Sequence, residues 1–116
     1  MNKDFALFQK EFTKWQKLFG LTGYKVYFKY EPLESFADIT VTQSDMVVTA
    51  RLNSDVSVKE IRDARQSAKH EAIHLLLMKV EHRAKSRYIR EEELDESVEE
   101  LVFKLEDLIG NFKSDS

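Results

Sequence analysis

Residues 70 to 74 read His-Glu-Ala-Ile-His, two imidazoles four positions apart with a carboxylate directly after the first. On a helix, positions i and i+4 lie on one face a turn apart, so both rings reach one ion. Zn2+ accepts His nitrogens at about 2.0–2.1 Å in the tetrahedral arrangement that such a pair begins. Glu71, about 100° round the axis, stands off the ligand line and beside any water on the metal, the place of a general base. The chemistry this suits is metal-assisted hydrolysis. Coordination brings the pKa of water towards about 7, and the carboxylate takes its proton during attack on a carbonyl. By rough composition arithmetic, chance produces such a match about once in a few hundred chains of this length. The bland alternative, two core histidines and a surface Glu71, is costly beside Leu75 and Leu76.

Two histidines do not complete a catalytic zinc site, which usually has three protein ligands and an open position. The chain has no cysteine and only three histidines, so the third ligand must be His82 or a carboxylate. His82 is eight residues beyond His74, two turns along and about 80° round, too far to share the ion. It reads as a solvated residue near the helix end. The C-terminal segment is rich in acids. With the centre of its apolar stripe taken as inward, Glu91 and Asp95 lean towards the stripe, Glu99 lies at one flank and Glu96 points away. A metal cleft forms at the edge of a helix pair, so a flank residue is admissible. For each acid taken singly, a solvated helix face is the better reading.

Around the motif, the chain divides into six elements. Phe5, Phe8, Phe12, Trp15 and Phe19 recur at helical spacing from Asp4 to Phe19, with Gly20 as a natural stop. This aromatic stripe reads as core rather than as a partner-binding face. Three segments alternate with period two: 24–30, 37–43 and 46–52. One apolar face on each predicts an antiparallel sheet covered on one side. Ser44 and Asp45 form a short link that suits a hairpin between the second and third. The motif helix is expected from Ser57, with Glu60 completing a capping box, to about His82. Val58, Ile61, Ala64, Ala68, Ala72, Leu75 and Leu76 would pack on the sheet. A last helix is expected from Glu91 to Ile109. Leu94, Val98, Leu101, Val102, Leu105, Leu108 and Ile109 form its inner stripe, and Gly110 its end.

The predicted fold is therefore α+β: an N-terminal helix, a three-stranded antiparallel sheet, the HExxH helix and a C-terminal helix. One domain spans residues 1–110, and 111–116 form a frayed tail. The 116 residues are 42% apolar and 34% charged with a net charge of −3, an ordinary globular composition that disfavours nucleic-acid binding. The basic link 81–90 has four cations and one aromatic, but the acids after it offset them. No apolar run reaches the length of a membrane span, and the N-terminus is too charged for a signal peptide, so a cytoplasmic protein is the default.

With these residues in view, the chain resembles the small phage- and prophage-encoded metallopeptidase-like proteins, minimal relatives of gluzincin-type zinc peptidases. The likeness runs through "YKVYFK", "ARLNSD", "AKHEAIHLLL" and "SRYIREEELDESVEELVFKLEDL", with H-E-x-x-H as its specific part. It implies a zincin-like core, His70 and His74 as zinc ligands and Glu71 as catalytic base. The family's last helix tends to read E-E-x-x-V-x-x-L-E. That register falls on Val98, Glu99, Val102, Leu105 and Glu106, so Val98 replaces the first acid and Glu99 remains as the implied third ligand. Glu96, with Glu100 four residues on, imitates the E-x-x-x-D arrangement of larger gluzincins and is the next choice, followed by Asp95 and Glu91. Peptidases of this architecture often take substrate as a strand along the sheet edge beside the motif helix. That would make 46–52 the edge, with Thr49 and Arg51 as rim contacts. Tyr88 is a further candidate for oxyanion stabilisation. The function expected is a zinc-dependent peptidase acting on a protein substrate, in the host cytoplasm if phage-encoded. The alternative is a weak or inactive peptidase-fold module that works through protein contacts.

Overall fold

The computed structural model describes residues 2–55 and 63–113. Its elements are α1 (Lys3–Leu18), β1 (Lys25–Glu31), β2 (Ala37–Thr42), β3 (Val47–Asn53), α2 (Ala64–Lys85) and α3 (Glu91–Lys113). The fold is α+β, as the periodicities predict. In α1, the Asn2 side chain caps the start by accepting from the backbone N–H groups of Asp4 and Phe5. The helix closes at Phe19, and Gly20 takes φ +70°, the left-handed turn that glycine adopts at little cost.

The sheet is mixed, not antiparallel, and its order is β1-β3-β2. β2 and β3 form the expected antiparallel hairpin, while β1 runs parallel to β3. The chain leaves β1, passes over the C-terminal end of β3 and returns as β2 on the far side. Asn53 at that end holds the crossing segment: its Nδ2 donates to the carbonyls of Leu33 and Ser35, and its Oδ1 accepts from Leu33 N–H. β3, expected at the edge, is therefore the central strand. It is also the strand best suited to the centre, since Val48, Ala50 and Leu52 are buried on one face and Val47 and Thr49 half-buried on the other. Lys25 and Lys29 sit exposed on edge strand β1, where charge discourages further pairing.

Three cross-sheet rows face the helices: Val26–Val48–Val41, Phe28–Ala50–Ile39 and Tyr30–Leu52–Ala37. α1 covers the β1 side, where Phe8 and Phe12 meet Phe28 edge-on at 6.3 and 5.7 Å and Phe5 stacks on Tyr30 at 5.3 Å. α2 packs beside α1 and along β2. Ala64, Ala68 and Ala72 are buried in this contact, small enough to let two helices and a sheet approach one another. The expected capping box of Ser57 and Glu60, with Val58 and Ile61, lies outside the described residues. Among those described, Asp63 caps α2 by accepting from Gln66 N–H at 2.7 Å.

α3 departs from expectation twice. It continues through Gly110 to Lys113, since a glycine inside a helix costs about 1 kcal/mol and need not end it. Its inner face is also turned by roughly 60° from the expected stripe. Ser97 is buried, and Leu94, Leu101 and Leu108 are half-buried, while Val98, Val102, Leu105 and Ile109 are exposed. Polar anchors set this rotation. Lys79 pairs with Glu100 at 2.7 Å, Arg83 donates to the Glu93 carbonyl at 3.0 Å, and Lys104 donates to the Gly20 carbonyl at 3.0 Å.

Candidate functional site

α2 presents His70 and His74 on its exposed side, and their Nε2 atoms approach to 3.2 Å. The rings meet edge to face, with centroids 4.8 Å apart and planes at 74°. This geometry fits a metal. Two nitrogens each about 2.0–2.1 Å from one ion, and this far apart, subtend an angle near 100°, close to tetrahedral. Glu71, one step round the helix, is buried at 7% exposure, turned towards the body of the domain while the imidazoles face out. The i, i+4 spacing thus positions the two rings, and the 100° offset separates the acid from them.

The acidic residues of α3 do not join the pair. Glu91, Asp95, Glu96 and Glu99 are all exposed. Among the described residues, no group of three or more His, Asp or Glu side chains is arranged to hold an ion. Register accounts for this: the pairs Lys79–Glu100 and Arg83–Glu93 set residues 91–99 level with the end of α2 beyond Lys79, whereas His70 and His74 lie about one to two and a half turns before it. His82 is exposed near the end of α2, as its position predicts.

Glu81 lies one turn before Lys85 on α2, and its carboxyl is held below the usual carboxylate range. The hydrogen bond from Lys85 is the main cause, and the charges of His74 and His82 add to it.

The residues expected to line the substrate are placed differently from the sequence reading. Thr49 and Arg51 belong to the central strand. Arg51 spans the uncovered sheet face, donating from Nε to Asp38 at 2.7 Å and from Nη1 to Glu31 at 2.9 Å. Hydrogen bonds from Asp38 first and Glu31 second raise its pKa above the ordinary guanidinium value. Its role is to lock three strands together. The edge strand beside α2 is β2. Tyr88 is 84% exposed beyond the end of α2, with Arg87 over its ring at 5.8 Å. Along the axis, the end of α2 is about 16 Å from His74, so Tyr88 does not face the imidazole pair.

Sequence reasoning passed over Ile73 and Leu77, which flank His74 on α2 and are 38% and 41% exposed. The signal was present, since both share the helix face of the histidines by spacing. No family model, curated protein or solved structure matches this chain.

Proposed function

We propose that this chain is a zinc-dependent peptidase that hydrolyses a peptide bond in a protein substrate. The observation that carries the reading is the 3.2 Å approach of the His70 and His74 Nε2 atoms on an exposed helix face. His70 and His74 would hold the ion, and the chemistry supplied there is polarisation of a carbonyl and acidification of water. Glu71 takes a proton from the attacking water and returns it to the leaving amine. Edge strand β2 offers unpaired backbone groups along which an extended substrate can add, beside the helix that carries the pair. No described helix is long and apolar enough to cross a membrane, and the cytoplasm is the compartment we assign to the activity.

The test is Glu71→Gln. Zinc content should equal that of the parent chain, and cleavage of any protein substrate should fall by about a hundredfold or more, read by peptide-bond cleavage assays. Equal cleavage by parent and variant would remove Glu71 from the reaction.

A second reading has its own support. The described acids of α3 stand apart from the histidines, which favours a peptidase-shaped module that holds a metal, or only the fold, and acts through protein contacts. Metal bound at the pair with no cleavage of candidate substrates selects this reading.

A further inference from the structure

The α2–α3 pair leaves an apolar face uncovered. On α3, Val98, Val102, Leu105 and Ile109 are exposed at 42, 46, 37 and 63%. Their steps of four, three and four residues are those of a helix that packs against another helix along a seam. Ile73 and Leu77 are exposed on α2. The two helices run antiparallel, pinned by Lys79–Glu100 and Arg83–Glu93. At 100° per residue, these six side chains then turn to the same side of the pair. An apolar side chain exposed singly needs no explanation, but a contiguous row does. The α3 row is about 16 Å long, three helical turns.

The rim of this row decides what covers it. Asp95, Glu99 and Glu106 follow the row one step further round α3, all exposed. No ion pair among the described residues engages them, whereas the inner acids Glu93 and Glu100 are paired. A second copy laid on by the same face would bring these acids against their own counterparts, and like charges across a helix contact are unfavourable. A cationic partner meets the opposite condition.

We infer that this face docks an amphipathic helix of a protein partner, whose apolar stripe seats on the row and whose Lys or Arg flanks meet Asp95, Glu99 and Glu106. The docking does not depend on a bound metal. It would hold the partner on the side of α2 from which Ile73 and Leu77 project, next to His74.

The experiment uses the full chain and two synthetic helical peptides with the same leucine stripe, one flanked by lysines and one by glutamates. Binding is read by fluorescence anisotropy, in zinc-free and zinc-loaded protein. The lysine peptide should bind in both, weaken as salt rises and outbind the glutamate peptide by at least tenfold. Val102→Glu with Ile109→Glu should weaken binding tenfold or more with the helical circular dichroism unchanged, and Glu106→Lys should narrow the preference between the peptides. Four outcomes overturn the inference: no binding of the lysine peptide, equal binding of both peptides, binding that ignores the Val102 and Ile109 substitutions, or binding only with zinc. Self-association of the parent chain, lost on Val102→Glu without peptide binding, would assign the face to a second copy instead.

Discussion

Two ring nitrogens 3.2 Å apart are either sharing a proton or ready to share an ion. Both readings follow from one spacing, which the sequence states openly. The i, i+4 histidines and the acid between them are legible because helical geometry leaves their relative directions no freedom. The placement of the α3 acids is not legible, because it depends on the register and turn of α3 against α2, which rest on Lys79–Glu100, Arg83–Glu93, Lys104 and the small Ser97 rather than on the apolar stripe. Other single residues carry load away from the motif. Buried Gln16 donates through Nε2 to the carbonyls of Leu21 and Tyr24, at 2.9 and 3.0 Å, joining the end of α1 to the start of β1. Gln16→Met strands both acceptors and should lower stability by about 1–3 kcal/mol in urea denaturation. An unchanged midpoint would mean that water replaces the amide. Gly20→Ala meets no steric obstacle within 3.7 Å, so its expected cost of about 1 kcal/mol comes from the left-handed backbone alone.

Among elements, the strands were readable and their order was not. Alternation tells which residues face the core, and the rows Val26–Val48–Val41 and Phe28–Ala50–Ile39 use the faces that alternation assigns. It carries no information on which strand lies between the other two. That is fixed by the crossing of residues 32–36 over the end of β3 and by the grip of Asn53 on it. Asn53→Ala removes three hydrogen bonds to this crossing and should destabilise the fold by about 2 kcal/mol, visible as faster amide exchange along β1. Exchange quickened only in β2 would place the crossing's anchor elsewhere. On α2, Asp63→Ala should cost about 1 kcal/mol through loss of the cap to Gln66. The end of α3 was misjudged for a related reason. Gly110 is a weak stop when no tertiary contact enforces one, and nothing lies within 4 Å of the position its Cβ would take.

Taken whole, the molecule has one core and one helix that stands partly outside it. Phe8, Phe12, Val48, Leu52 and Leu75 are fully or almost fully buried between α1, α2 and the sheet, while among the described side chains of α3 only Ser97 is buried. Phe12→Ala should therefore cost about 3–5 kcal/mol, against a fraction of that for truncation at Val102. The domain can thus present α3 to another molecule without endangering the fold that positions α2. α2, and not the outlying α3, sets the distance between the imidazoles. The most direct measurement is zinc content per chain after exhaustive dialysis at neutral pH, for the parent protein, His70→Ala and His74→Ala. About one zinc is expected in the parent and its loss in both variants, with circular dichroism unchanged. A parent chain that retains no zinc, or variants that retain as much as the parent, would contradict a zinc site at His70 and His74.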